Sequence, residues 1–352
     1  MNILSRDDLL LAESKGDLRV KDRLDFSAFS LDVRIEKLFR RNESKALQFQ
    51  EFDLNEERFI EEVLEEVPID GGGYVLESGG FYLWQPQEEI FLSCGLRGEI
   101  VTRSSWARLG IRVSSLGGDS DLANEVKDIT TKPLGIISTQ ATRVKIKKGD
   151  SMGQLIVGYG DSRINNEEIK EMVRKNQLTI VRYSKKMSVE KLKFHGHLVL
   201  TMAPEIYIYN GAILTPSEDN SHAFEKIQLH YTQRHYLKKG DFFISCSAEY
   251  VAIPPKYVGL VTEVNSHATN SQFAKTNDPR LMVAPFTSHP NCPYIGPKGV
   301  FEGQITFENI MWVDSYVTAG MKQSELMLKE LTRIIEVKSR YNEQKGATFS
   351  RL

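Results

Sequence analysis

The chain has 352 residues, 41% hydrophobic and 26% charged, which is enough for two ordinary domains with cores of their own and too apolar for a disordered chain. Lys and Arg (45) against Asp and Glu (47) leave a net charge of −2, which excludes a general nucleic-acid or anionic-membrane binder and makes any phosphate chemistry local. No apolar run is long enough to span a bilayer, the opening MNILSRDDLLLAESKG lacks the basic and apolar blocks of a signal peptide, and the scattered Cys94, Cys246 and Cys292 form neither a disulfide framework nor a C-x-x-C zinc pattern, so we expect a cytoplasmic protein.

Taken in chain order, Ser5-Arg6-Asp7-Asp8 is a capping pattern that opens a short helix, and Gly16 can end it. Strand-like alternation follows in Leu18-x-Val20 and Leu31-x-Val33-x-Ile35. The acidic stretch 52–73 predicts a helix and loop excursion. YVLESGGFYL (74–83) predicts a turn at Gly79 leading into a strand. TRSSWARLGIR (102–112) gathers Arg103, Ser104, Ser105 and Arg108, whose guanidinium forks and hydroxyls bind phosphate oxygens. A polar turn before a strand is the plainer alternative for that cluster. KIKKGDSMGQLIVG (145–158) predicts a turn around Gly149 and a period-two strand.

The pattern then starts again. Asn165-Asn166-Glu167-Glu168 opens a second helix, and Leu178-x-Ile180 stands at the spacing from Ile169 that Leu18 has from Leu9. Leu198-x-Leu200 and Ile206-x-Ile208 alternate, YLKKGDFFI (236–244) parallels 74–83 around Gly240, and VTAGMKQSELMLKEL (317–331) parallels 145–158 around Gly320. Residues 267–281 predict a long loop. We read a mainly β chain of two tandem domains, 1–162 and 163–352, each a β-sandwich or barrel with one short N-terminal helix. Two unrelated β domains that share generic strand-turn grammar are the alternative.

These residues resemble the dCTP deaminase branch of the trimeric dUTPase superfamily over nearly the whole chain. Arg103-Ser104-Ser105-Trp106-Ala107-Arg108-Leu109-Gly110 is similar to that family's phosphate motif Gly-Arg-Ser-Ser-Leu-Ala-Arg-Leu-Gly, with Trp106 in place of the leucine. Gly303-Gln304-Ile305-Thr306-Phe307-Glu308 is similar to the strand Gly-x-Ile-x-Leu-Glu, whose Glu is the family's catalytic base. Arg340-Tyr341-Asn342-Glu343-Gln344-Lys345-Gly346 is similar to the closing tail Lys-Tyr-x-x-Gln-x-Gly, and Thr287-Ser288-His289 to the Thr-Ala-His segment that holds the base.

The resemblance implies dUTPase-like (β-clip) domains and hydrolytic deamination of dCTP to dUTP and ammonia without zinc. It assigns Glu308, Ser104 and Arg108 to catalysis, and Arg103, Ser105, Thr287, Ser288, His289, Lys338, Arg340, Tyr341 and Gln344 to substrate binding. It also implies Mg²⁺ carried by the substrate triphosphate, no nucleic-acid or membrane partner, and a homo-oligomer, a trimer or a related assembly. The repeats divide the work: Gln140, in Gly135-Ile136-Ile137-Ser138-Thr139-Gln140, takes the place of the base in the first, and Val264-Asn265-Ser266-His267-Ala268-Thr269 replaces the phosphate motif in the second. A composite site follows, with phosphates gripped by the first repeat and the base, Glu308 and the tail supplied by the second.

Deamination needs water activated against C4, a proton delivered to N3, and donors for the tetrahedral centre. A carboxylate in a closed apolar pocket has its pKa raised and can shuttle that proton. On its residues alone, Glu308 reads first as an edge-strand carboxylate facing solvent, and His289 is equally a loop histidine without a role. The H-x-E and P-C-x-x-C pair of zinc deaminases is missing, since His289-Pro290-Asn291-Cys292 has no second cysteine. Gly296 stands where triphosphate-hydrolysing relatives carry an Asp, which disfavours dUTP pyrophosphatase activity, alone or alongside deamination, although Glu302 or Asp278 could substitute. A non-catalytic nucleotide-binding regulator is the third reading.

Overall fold

The computed structural model describes residues 2–22, 26–41, 64–93, 95–115, 135–139, 141–160, 164–195, 197–216, 218–263, 286–289, 294–296, 302–311, 313–334 and 342–344. The first half opens with β1 (Asn2–Ile3), α1 (Arg6–Lys15), β2 (Leu18–Lys21) and β3 (Leu31–Arg41). It continues through β4 (Leu64–Val67), β5 (Tyr74–Leu76), β6 (Phe81–Pro86), β7 (Glu89–Leu92) and β8 (Arg97–Thr102). A short helix α2 (Ser104–Ala107) then leads to β9 (Ile111–Ser115), β10 (Gly135–Thr139), β11 (Arg143–Ile146) and β12 (Ser151–Tyr159).

The second half opens with α3 (Asn166–Arg174), β13 (Thr179–Arg182), β14 (Lys185–Lys186), β15 (Phe194–His195) and β16 (His197–Tyr209). Then come β17 (Ile213–Leu214), β18 (Phe224–Gln228), β19 (His235–Leu237), β20 (Phe242–Ala252) and β21 (Tyr257–Glu263). The last strands are β22 (Phe286–His289), β23 (Tyr294–Ile295), β24 (Glu302–Met311), β25 (Ser315–Val317), β26 (Lys322–Glu330) and β27 (Asn342–Gln344).

Local chemistry sets the helix that opens each half. The Ser5 hydroxyl caps α1 by accepting the Asp8 N–H, and Gly16 ends it at φ 78°, a left-handed conformation that costs glycine no Cβ clash. Asn165 and Glu168 form a reciprocal capping box on α3. The acidic excursion departs from expectation in part: of its described residues, 64–73, Leu64–Val67 form a strand paired with Leu38–Arg41, with Glu65 against Arg40 and Glu66 against Lys37, and a loop follows. Opposite charges across the ladder favour the strand that a helical reading of the acids missed.

The ladders repeat. In the first half β5 pairs β11, β6 pairs β10 and β3, β12 pairs β3 and β8, and β2 pairs β7. In the second β19 pairs β25, β20 pairs β24 and β16, β26 pairs β16 and β21, and β13 pairs β20. The first half closes into a six-stranded barrel, β12-β8-β9-β10-β6-β3 and back to β12, around a core that includes Trp84, Trp106, Leu155 and Ile137. Separate apolar clusters fill the second half, one around Ile180, Phe307 and Leu328, another around Ile206, Phe243 and Met311.

Among the described residues the halves are joined at two places. Thr332 donates its N–H to the Ile3 carbonyl at 3.0 Å, Arg333 pairs with Asp8 at 2.7 Å, and Ile3, Val101, Ile156, Val258 and Leu331 share one cluster. The second connection is a parallel ladder of β11 with β17, over which Leu214 and Ala223 extend the first core.

A buried glutamate marks the same corner of each half. Counted from the turn glycines Gly79 and Gly240, Glu88 and Glu249 are both the ninth residue on. Glu88 accepts the Arg34 backbone N–H (2.9 Å) and Nε (2.7 Å); Glu249 accepts the Thr201 N–H (2.8 Å) and hydroxyl (2.8 Å) and pairs with Arg182. The guanidinium comes from β3 in one half and from β13 in the other. The backbone demand is the same in both, and the counter-charge is recruited from whichever strand offers it.

Candidate active site

Strand β8 delivers the chain into α2, where a polar turn had been the plainer alternative. The Arg103 N–H donates to the Met152 carbonyl at 3.0 Å, and its guanidinium reaches Asp32 and the Ser151 carbonyl, each at 3.4 Å. Asp32 is steadied by Gln154 at 3.2 Å. Ser105 and Arg108 are buried, at 4% and 5% exposure, and among the described residues the Ser105 hydroxyl has no hydrogen-bond partner. Ser104, half-buried, is the first residue of α2, which Arg103 and Arg108 flank.

Trp106, the departure from the family motif, is part of the first core and donates its indole N–H to the Ser151 carbonyl at 2.8 Å. Ser151 lies where the register of β12 against β3 shifts, so side chains meet that carbonyl's hydrogen-bonding need. A leucine would fill space without making this bond. Gly110, at φ 76°, closes the motif against Thr142: a Cβ there would lie 2.5 Å from the Thr142 hydroxyl, which donates to the Leu109 carbonyl at 2.6 Å.

Glu308 lies in the interior of β24, paired with β20 on one side and β22 on the other, and is 3% exposed. The solvent-facing alternative is thereby set aside. One register row runs Lys226, Tyr207, Ile244, Glu308, His289 across five strands. Directly opposite side chains share a face, so Lys226, Tyr207, Ile244 and Glu308 line one surface, with Tyr207 about 10 Å from Glu308 at the usual strand spacing. Tyr207 donates its hydroxyl to Glu205, which Lys226 holds at 2.5 Å. Burial first and then the Glu205 bond push the Tyr207 phenol up, so it stays a donor.

A line of contacts joins this face to the phosphate motif within one chain. Thr142 bonds Leu109, the neighbouring Arg143 donates its N–H to the Tyr209 hydroxyl at 3.3 Å, and the Tyr209 and Phe242 rings meet at 6.4 Å. Phe242 pairs with Ile310, two residues beyond Glu308. A cavity of about 460 Å³, lined by Tyr183, Pro204, Ala248, Tyr250 and Gln304 among others, opens beside the start of β24 and does not include Glu308.

Thr287, Ser288 and His289 lie on β22 as register partners of Ile310, Asn309 and Glu308. Gln344 lies on β27, opposite Gly303 at the start of the Glu308 strand. Gly296 is buried, beside β23. Lys338, Arg340, Tyr341, Asp278, Gln140 and residues 264–281 lie outside the described residues. No three His, Cys, Asp or Glu side chains gather as a metal-ligating group among the described residues, and none of their helices is long and apolar enough to cross a membrane.

The register corrects one assignment. Leu83 and Ile244 are each the fourth residue after the turn glycines; Leu83 pairs with Ile136, Ile244 with Glu308. The first-half counterpart of Glu308 is therefore Ile136 and not Gln140. Thr102 and Glu263, which pair with Gly153 and Ser324, end β8 and β21 at equivalent points, and the sequence twin of the phosphate motif, 264–269, lies outside the described residues.

A family described as dCTP deaminase-like matches residues 3–158, the span of the barrel and the phosphate motif. Those residues are similar to that family's domain. The dCTP deaminase-like fold continues through the rest of the chain: the crystal structure of 2'-deoxycytidine 5'-triphosphate deaminase from Agrobacterium tumefaciens superposes with a TM-score of 0.71 at 20% identity, covering 95% of this chain and 96% of that one. No curated protein matches the sequence. Sequence reasoning passed over Asp32, which aims Arg103, and Tyr207 with Glu205 and Lys226, which share the Glu308 face; only their cross-strand pairing reveals them.

Proposed function

We propose that this chain hydrolyses the exocyclic amine of dCTP, giving dUTP and ammonia, at a site assembled from both halves. The burial of Glu308 on a three-strand row between Ile244 and His289 carries the reading, because a carboxylate held in a closed site is placed to accept a proton from a bound water. Glu308 takes a proton from water as the oxygen attacks C4 and returns it to the ring nitrogen. The proton of the new C4 hydroxyl then passes to the amine, which leaves as ammonia as the C–N bond breaks and the C4 carbonyl forms. Arg103, Ser104, Ser105 and Arg108 grip the triphosphate, with Arg103 prealigned by Asp32. Their hydroxyl and guanidinium donors suit phosphate oxygens, so Mg²⁺ enters as part of the substrate chelate without a cage of its own.

Several observations support the composite arrangement: the contact line from Leu109 to Phe242, the Ile136 that leaves the first half without a carboxylate, and the residues 264–269 that leave the second without arginines. The strand β27, parallel to the start of β24, fits a tail that closes over bound substrate. In the cell we place the protein in the cytoplasm, acting on free deoxynucleotides as a homo-oligomer. Separate incubations with dCTP and dUTP test the activity. One ammonia per dUTP formed, and no pyrophosphate from either, is expected; pyrophosphate from dUTP without ammonia from dCTP would overturn it.

A further inference from the structure

Directly behind Glu308, on the opposite face of β24, the second half carries buried amides. Ser245, Asn309 and Gln323 are each fully buried at 0% exposure. The Asn309 side-chain N–H₂ donates to the Ser245 hydroxyl at 2.8 Å and to the carbonyls of Phe243 at 3.2 Å and Phe307 at 3.3 Å. Gln323 donates to Ser245 and to the Asn309 side-chain oxygen, the latter at 3.2 Å.

The first half builds the same positions from apolar residues. Trp84 and Ser245 are each the fifth residue after the turn glycines, and Met152 and Gln323 the third after Gly149 and Gly320. Ile137 and Asn309 pair with Tyr82 and Phe243, each the third after its own turn glycine. Trp84, Ile137 and Met152 all belong to the first core. The ladder therefore holds without amides.

The front of the strand differs in step with the back: Ile136 in one half, Glu308 in the other. The two carbonyls that Asn309 holds belong to Phe307, the residue before Glu308, and to Phe243, the residue before its register partner Ile244. We propose that Ser245, Asn309 and Gln323 are positioning residues that fix the Glu308 backbone against β20 and so aim its carboxylate. A tied polar network in a low-dielectric interior is stiff, and misplacing a catalytic group by about 1 Å loses roughly 10²-fold in rate.

The inference rests on Glu308 being the base, and its test separates the two. Asn309→Ile with Gln323→Met installs the residues the first half uses. The melting temperature is expected to hold or rise, KM for dCTP to stay, and kcat to fall about 10- to 100-fold, the size of effect seen when groups behind a reacting ligand are removed. The ¹³C carboxyl resonance of Glu308, assigned against Glu308→Gln, is expected to shift or broaden. Unchanged kcat, or a kcat loss matched by a loss of folded protein, would overturn the proposal. If the wild-type chain deaminates no cytosine nucleotide, the proposed activity fails; the resonance then decides the positioning role, and an unmoved signal in the double variant rejects it. If the double variant does not fold, Gln323→Met alone takes its place, with a smaller kcat loss expected and none contradicting the proposal.

Discussion

The two halves answer one folding problem with the same ladders and different chemistry. Both enter through a capped helix, turn at a left-handed glycine, and bury a glutamate that accepts a backbone N–H from the neighbouring strand. They differ at the front row of the strand, Ile136 against Glu308, and at the core row behind it, Ile137 and Met152 against Asn309 and Gln323. What the halves share is what the fold requires. What they do not share marks where selection acted on something besides stability.

That comparison can be broken most forcefully at the shared corner. Glu88→Ala and Glu249→Ala each leave a guanidinium and a buried N–H uncompensated, and each is expected to lose about 3–5 kcal/mol in denaturant unfolding. A large loss in one half with none in the other would show that the corners are not equivalent. Trp106→Leu restores the residue of the family motif but removes the closer of the two donors to the Ser151 carbonyl and leaves a void; about 2–4 kcal/mol should be lost in the same measurement. The smallest effect belongs to a charge reversal between the halves, Lys37 with Glu66 in one and Glu205 with Lys226 in the other. Exchanging Lys37 and Glu66 for each other should change thermal stability by under about 1 kcal/mol, since this pair is largely exposed.

Helix caps and turn glycines were legible because their signals are local: Ser5, Gly16, Asn165 and the four turn glycines all do what their residue types favour. The acidic run at 64–67 was misread because cross-strand Arg40 and Lys37, far away in sequence, decide its conformation. Two alternating runs, 198–200 and 206–208, proved to be one strand, β16, with a register shift between Met202 and Ile206 that accommodates Pro204. The misassigned twin of Glu308 has a similar cause. Ile136 and Gln140 are four apart, period-two alternation does not distinguish them, and only hydrogen-bonded register against β6 selects one. Glu308 itself came from resemblance to a motif, and its burial became visible only with strands on both sides. The network behind it was invisible because Asn309 and Gln323 look like surface residues in any alternating strand.

The central claim is that each half supplies what the other lacks. It is tested most directly by ammonia release from dCTP in Arg108→Ala and Glu308→Gln, with folding checked by circular dichroism. Each variant is expected to fall at least about 100-fold below the wild-type rate while remaining folded, the usual loss for a missing transition-state donor or proton acceptor. A wild-type rate in either variant would contradict a site divided between the halves.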